Sequence, residues 1–599
     1  MRGLPRLQRK MNQHSGRRHR VRSSPFDSPQ DKDGMTMLKK SLIFALCFSL
    51  IFPVNVVLAA PSGGQVVRGQ ANINQSGAKT TINQSSDRAI VNWKNFDIAK
   101  HESVTHTMPS RDAAALHRVT GGGGASQLAG ELSSNGNIFL VNPAGVVIHK
   151  GAKIDTGGFM ATTHDIANED FMKGNYAFTK PGHPGASVVN QGNITVRDQG
   201  FAALVAPTVR NEGVIAAKLG KVALASGDAF KLDFYGDDLI NFTVPESTVD
   251  RLHTTDGTPL GVENTGTIKA EGGVVLLSAT QLDGVVSSVV NNGGTVSAAS
   301  AELKGGKIVF RGEGENVDVV NTGTVTASSD KGDGGYVRMV ADGKVKVSGN
   351  VEARGADKGG RVDISGKKET IIADAMISTE GEEGGLVRIG GEFHGGSKKS
   401  AATEVLNQGF VERFDGLERL ASTKTLTVNS ASDISSGGQG TLILWSEEST
   451  FIMGSLFAKY LETSGRNLSL EIPPRLTKSG IWLIDPDDVI IGDFAGQSIT
   501  DSKINASWLG EYISTGESVY IEAPNSIVFK KGLIFTSNEY SSIIFSSNYI
   551  KIEDNILFKD PNNDSSFMLT PFDRSLYSKV EIGKNVPDYV LFSANFKSL

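Results

Sequence analysis

The chain has 599 residues, of which 69 are Gly, 19 Pro and one Cys, with 7% aromatic and 21% charged side chains and a formal charge of −5. Abundant Gly without matching Pro excludes a collagen, a single Cys excludes a disulfide scaffold, and the moderate charge excludes a highly charged disordered tail.

Residues 1–34 form a basic extension with eight Arg or Lys before position 23 and no acid there. A nucleic-acid arm has this composition too, but the apolar run directly behind it argues against one. The extension is read either as a long n-region or as lying upstream of a true start at Met35 or Met37, with the later start favoured. Lys39 and Lys40 precede an apolar run from Leu42 to Val57 that closes on Ala59 and Ala60. This succession predicts a secretory signal peptide over 35–59, cut next to Ala59 or Ala60. The run is short of the ~20 residues of a membrane span, and Pro53 and Asn55 interrupt it. The lone Cys47 lies inside it. Removal of residues 1–59 leaves 49 basic and 62 acidic side chains, a charge near −13 and no Cys. A cysteine-free chain stays threadable in an oxidising periplasm.

Beyond the signal segment two phrases recur. Asn-x-Gly-x-Ile/Val stands at Asn190, Asn211, Asn264, Asn292 and Asn321, and a Gly-Gly pair opens an alternating strand at Gly272, Gly305, Gly334, Gly359 and Gly384. The last three pairs are spaced by 25 and 25 residues, and Val325, Val351 and Ile377 by 26 and 26. Two landmarks sharing one period predict stacked units. The strands alternate, with Val337/Met339, Val362/Ile364 and Val387/Ile389 inward and Arg338, Asp363 and Arg388 outward. The Gly pairs and the Asn-x-Gly segments are expected to supply positive-φ corners between strands. Short strands without helical patterning predict an all-β parallel β-helix, on whose turns Arg338, Asp363 and Arg388 stack as an exposed row contributing roughly 0–1 kcal/mol per pair.

Several stretches carry a resemblance. They are Pro61-Ser-Gly-Gly-Gln-Val-Val67, Ile90-Val-Asn-Trp-Lys-Asn-Phe-Asp-Ile98, Leu116-His-Arg-Val119, Gly136-Asn-Ile-Phe-Leu-Val-Asn-Pro-Ala-Gly-Val146, Gly151-Ala-Lys-Ile-Asp155, Gly158-Phe-Met-Ala-Thr-Thr163 and Phe201-Ala-Ala-Leu-Val-Ala-Pro207. In order and spacing they resemble the secretion domain of the two-partner secretion exoproteins, the filamentous haemagglutinin and high-molecular-weight adhesin group. Downstream, Gly480-Ile-Trp-Leu-Ile-Asp-Pro-Asp-Asp-Val489 is similar to a phrase that follows the secretion domain in those adhesins. The family's Asn-Pro-Asn-Gly-Ile motif stands here as Asn142-Pro143-Ala144-Gly145-Val146, and its Asn-Arg-Val as His117-Arg118-Val119. Pro143 and Gly145 keep the tight turn, whereas Ala144 removes one side-chain amide. The resemblance implies a right-handed parallel β-helix with an amino-terminal secretion domain. It also implies recognition by an outer-membrane β-barrel transporter with periplasmic recognition domains, and secretion to the exterior or surface of a Gram-negative bacterium. Asn142, Pro143, Ala144, Gly145, Val146 and Arg118 are the expected recognition residues. The expected division is 60–300 secretion domain, 301–480 β-helical rod and 481–599 β-rich end. Leu599 ends either a small exoprotein or part of a longer one.

Catalytic chemistry finds little support. Gly121-Gly-Gly-Gly124 lacks the Gly-Lys-Ser/Thr of a phosphate loop and reads as a linker. His101, His106 and His117 read as surface histidines rather than a metal site. Asp485, Asp487 and Asp488 could ligate Ca²⁺ but read as solvated acids on a turn at Pro486. Seven Asn-x-Ser/Thr sequons are of a frequency that chance supplies. The acidic mature charge opposes nucleic-acid binding. The expectation is a non-enzymatic adhesin or haemagglutinin with no cofactor and no metal, acting on a host-cell or surface receptor. The alternatives are a cytolysin or contact-dependent toxin carrier, or a polysaccharide-active β-helix enzyme.

Overall fold

The computed structural model describes residues 60–582, less 228, 233–239, 243–260, 281–287, 302–303, 397–416, 495–500, 531–532, 537–540, 554–555, 560–565 and 571–578. The expected signal segment and Ala59 lie outside the described residues; Ala60 is half-buried at their start. The backbone winds as a parallel β-helix whose turns each lay down three short strands. Tyr336–Ala341, Lys344–Val347 and Asn350–Glu352 form one such turn, and Arg361–Gly366, Glu369–Ile372 and Met376–Ser378 the next. Each strand pairs in parallel with its counterpart one turn later. Three ladders result. Face A holds the first strand of each turn, face B is the 12-stranded ladder from Ser126–Leu128 to Asn467–Leu470, and face C holds the third strands.

The period-two pattern decides what each face buries. Val337, Met339, Val362, Ile364, Val387 and Ile389 are all 0% exposed and belong to one continuous interior. Each such side chain contributes roughly 1.5–3 kcal/mol on leaving water. The amino-terminal edge is closed by antiparallel strands. Gln65–Arg68 runs against Arg88–Trp93, and Ala71–Ser76 folds back on Lys79–Gln84. Such a cap removes an open edge that would template pairing with another chain.

The glycine columns have a different cause from the one expected. Of the five Gly-Gly pairs only Gly272 and Gly384 open with a left-handed φ, and the glycines of the Asn-x-Gly phrases do not take one. They are required because the turns stack too closely for a side chain. A Cβ on Gly294 would lie 2.2 Å from the carbonyl oxygen of Gly266, and on Gly323 or Gly349 2.0 Å from that of the glycine one turn below. The preceding Asn is not in the corner either. It ends a face B strand and points inward, so that Asn190, Asn211, Asn264, Asn292 and Asn321 form a buried ladder. Each Nδ2 donates to the next Oδ1 at 2.7–2.8 Å.

Arg338, Asp363 and Arg388 are register neighbours, as expected, but the row is buried rather than exposed. Asp363 is 0%, Arg388 3% and Arg338 7% exposed. Residues 417–421 cross over them, and the carbonyls of Glu418 and Arg419 accept from Arg388 and Arg338 at 2.9 and 2.8 Å. Burial alone would raise the Asp363 pKa. The hydrogen bond and charge of Arg388, with Arg361, outweigh it and hold the carboxyl below its ordinary range.

Excursions leave the solenoid at several points. Residues 163–186 carry a short helix, Asn168–Lys173, and two strands, Asp165–Ile166 and Ala177–Lys180. With Phe230–Leu232 and Ile240–Phe242 these strands make a small antiparallel sheet. It covers face A from outside and buries Phe139, Phe171, Phe178 and Phe230 in a second apolar cluster. Near the far end a helix, Ala506–Thr515, interrupts a stretch that alternation alone assigns to β-structure. Ala506, Leu509, Tyr512 and Ile513, at helical spacing, fill the solenoid end beside Trp482, and Gly516 ends the helix at φ 95°.

Candidate functional site

Asn142 follows the face A strand Asn137–Val141, and Val146 opens the face B strand Val146–Ile148, so the motif is the corner between two faces. Pro143 presets φ for the first central position, and the Gly145 amide donates to the Asn142 carbonyl at 2.9 Å, closing a β-turn. Gly145 has φ +114°, and a Cβ there would meet the Ser187 carbonyl oxygen at 2.6 Å; both facts exclude a larger residue. Asn142 is 2% exposed and spends its whole side chain internally. Its Oδ1 accepts from the Ala144 amide at 3.0 Å. Its Nδ2 donates to the Gly124 carbonyl at 3.2 Å and to the Ser126 hydroxyl at 3.0 Å. Thus the tetraglycine run read as a linker is anchored at Gly124 by this turn.

Ala144 contributes its amide to the turn, while its side chain is half-exposed. Replacement of the family's Asn at this position therefore leaves the internal bonds of the turn intact. The Pro143 carbonyl accepts from the His183 amide at 2.9 Å, so the end of the 163–186 excursion lies over the turn. Val146 is fully buried in register with Ser126 and Val188.

Arg118 stands on the face A strand Ala114–Val119, in register with Val141, the residue before Asn142. Its guanidinium, nearly buried, donates from Nε to Asp165 Oδ1 at 2.7 Å, from Nη1 to Asn168 Oδ1 at 2.7 Å and from Nη2 to the Ile166 carbonyl at 2.6 Å. The structure thus brings all six motif residues into one neighbourhood, with Arg118 fastening the beginning of the excursion and Pro143 its end. Asp165, Asn168 and His183 are the partners that the sequence reading missed. They lie 47, 50 and 40 residues from the groups they bind, with no local pattern to flag them.

The histidines correct the sequence reading. His101 is exposed, but His106 and His117 are 0% exposed. Trp93 Nε1 donates to His117 Nδ1 at 3.1 Å, and His117 Nε2 meets His106 Nδ1 at 3.1 Å. One proton shared between the imidazoles leaves both rings neutral. Burial lowers the His106 pKa to about 4, and burial plus the neighbouring His106 charge sets His117 well below its usual value. Of the acids at Pro486, only Asp488 is exposed; Asp485 and Asp487 are half-buried. Asp485 joins Glu462 and His394 in a group apart from the Asn142 turn.

Residues 58–327 match the family described as the TPS secretion domain. Two heme/hemopexin-binding proteins of Haemophilus influenzae are similar over part of their length. One is 32% identical over 278 residues, 45% of this chain and 29% of the relative; the other is 35% identical over 290 residues, 44% and 29%. The matched region therefore spans under a third of either relative. The crystal structure of the HMW1 secretion domain from Haemophilus influenzae matches with a TM-score of 0.53 and 29% identity, covering 71% of this chain and all of that one.

Proposed function

We propose, from the match of residues 58–327 to the TPS secretion domain family, that this chain is an adhesin- or haemagglutinin-type exoprotein that an outer-membrane transporter exports to the exterior or surface of a Gram-negative cell. On this reading residues 60–300 serve transport, 301–480 form the rod, and 481–599 its β-rich end. Asn142, Pro143, Ala144, Gly145, Val146 and Arg118 are the segment that the transporter's periplasmic domains engage. The observation that carries the proposal is burial. Asn142 is 2% and Arg118 9% exposed in the folded chain, so these groups meet a partner before the turn closes and the excursion locks over it. Each completed turn then buries apolar surface outside the cell and opposes backsliding.

The test is export of the full chain co-expressed with its transporter. Replacing Asn142 and Gly145 together by Ala stops export while the chain still accumulates, and the denatured double variant loses affinity for the transporter's periplasmic domains. Undiminished export and binding overturn the assignment.

A second reading follows from the two relatives, whose names give heme and hemopexin as what they bind. On it, this chain binds heme or hemopexin. Co-sedimentation of the secreted chain with hemopexin, against erythrocyte agglutination, separates the two.

A further inference from the structure

His394, Glu462 and Asp485 come from three separate parts of the chain, 68 and 23 residues apart. The solenoid register nevertheless gathers their ligand atoms within 4.8 Å of one another. Glu462 stands on the face A half of the strand Ser455–Ser464, fully buried, with Ser464 Oγ donating to its Oε1 at 2.9 Å. Asp485 ends the next strand, Arg475–Asp485, and Glu522 ends the one after, Ser518–Glu522. Glu522 is 1% exposed and acts electrostatically on the same imidazole. His394 enters from the turn Phe393–Gly396. Its amide donates to Glu462 Oε1 at 3.1 Å, and its Nδ1 lies 3.2 Å from Asp485 Oδ2.

Two features go beyond an ordinary buried ion pair. Two carboxylates, Glu462 and Asp485, converge on one imidazole inside the fold, a mixed nitrogen and oxygen donor set rather than a one-to-one ion pair. Among the described residues, the only cation paired with Asp485 is His394. In addition, His394 is 9% exposed and its Nε2 is buried with no hydrogen-bond partner. His394 is also held at φ +49°, a left-handed conformation that costs a non-glycine residue of order 1–3 kcal/mol.

We propose that His394, Glu462 and Asp485, with Glu522 behind them, bind a divalent transition cation of the zinc type. A mixed imidazole and carboxylate set favours such an ion over Ca²⁺ or Mg²⁺, which take oxygen ligands. Ligand atoms on a tetrahedral zinc lie about 3.4 Å apart, so small side-chain shifts close the group around an ion. The ion would tie two solenoid turns to the segment at 393–396, and this assignment does not depend on the transporter reading.

The experiment is calorimetric titration of the full secreted chain, stripped with a chelator, with zinc chloride and separately with calcium chloride. Anomalous diffraction at the zinc edge locates the ion. One zinc equivalent bound at His394, and affinity reduced about tenfold or more in Asp485→Asn and Glu462→Gln but unchanged in Asp488→Asn, is the expected result. Folding of each variant is checked by circular dichroism. If a variant fails to fold, the anomalous peak and a rise in melting temperature with zinc in the unmodified chain decide the matter. No zinc uptake, a peak elsewhere, or tighter binding of calcium overturns the proposal.

Discussion

Arg388 grips Asp363 through two hydrogen bonds of 2.8 Å, Nε to Oδ1 and Nη2 to Oδ2, although the two residues lie on different turns of the solenoid. Arg338 reaches the same carboxylate from the turn before, and the hydroxyl of Tyr336 donates to it at 2.8 Å. Because Asp363 is fully buried, removing it strands guanidinium groups that water cannot reach. Asp363→Ala is expected to destabilise this part of the rod by about 3–5 kcal/mol. The loss should show as faster amide exchange in Tyr336–Ala341 and Arg361–Gly366 and as early proteolysis at 417–421. A triple replacement by Met at 338, Leu at 363 and Met at 388 should cost less than the single one. Equal protection in Asp363→Ala and the unmodified chain would show that the group adds nothing.

The asparagine ladder makes a positional prediction. Asn264 both donates to Asn292 and accepts from Asn211, so Asn264→Val orphans one group on each side. Asn321 is the end member, because Val347 already occupies the next register position and its Nδ2 turns to the Gly323 carbonyl. Each orphaned buried group costs roughly 1–3 kcal/mol. Asn264→Val should therefore lower stability by more than Asn321→Val, with the extra loss read as exchange at the Thr265 and Gly266 amides. The reverse order would contradict the ladder.

The paired histidines give the amino-terminal turns a pH dependence whose sign follows from burial. The folded pKa of His106 is lowered to about 4 from 6.5. The unfolded chain therefore binds the extra proton first, and stability is full above pH 6.5 and declines as pH falls toward 4. A shift of that size is of order 3 kcal/mol from His106 alone. Acid unfolding followed by Trp93 fluorescence should show this decline. His106→Gln should flatten it, and an unchanged profile in that variant would place the sensitivity elsewhere.

How much of this was legible in the sequence depends on the reach of each interaction. Inward Val337, Val362 and Val387 and the stacking of Arg338 on Asp363 followed from a 25-residue period, because register in a solenoid is arithmetic. The burial of that same row did not, since the cover at 417–421 comes from a loop with no period. Glycine was recognised but its reason was not: a Cβ clash with a carbonyl one turn away is invisible in a local window that reads Gly as a corner. The polar Asn of each repeat likewise reads as a turn residue, until the ladder sets it between identical residues one turn above and below. Asn142 and Gly145 were found through a motif. Asp165 and His183, which bind at either end of the same excursion, carry no pattern of their own. His394 meets Glu462 only because a turn between faces brings it back over the next strands.

Arg118 fixes the excursion by three bonds to Asp165, Asn168 and the Ile166 carbonyl, and beneath that excursion Phe139 lies against Phe171 and Tyr176. Arg118→Ala removes all three bonds but leaves Asp165, whose side chain is 26% exposed, with access to water. The loss is therefore about 1.5–3 kcal/mol, the range for hydrogen bonds to a charged group, rather than that of a stranded buried ion. Arg118→Lys should recover only part of it, since an ammonium cannot span the same fork of acceptors. The expected result is selective loosening. Amides of Ala177–Lys180 and Phe230–Leu232 exchange faster, while Ala114–Val119 in face A keeps its protection. Uniform loss across both would mean that Arg118 supports the solenoid itself. If the excursion loosens and export falls with it, locking over the Asn142 turn is part of passage to the outside. If it loosens and export is unchanged, Arg118 serves the folded domain alone.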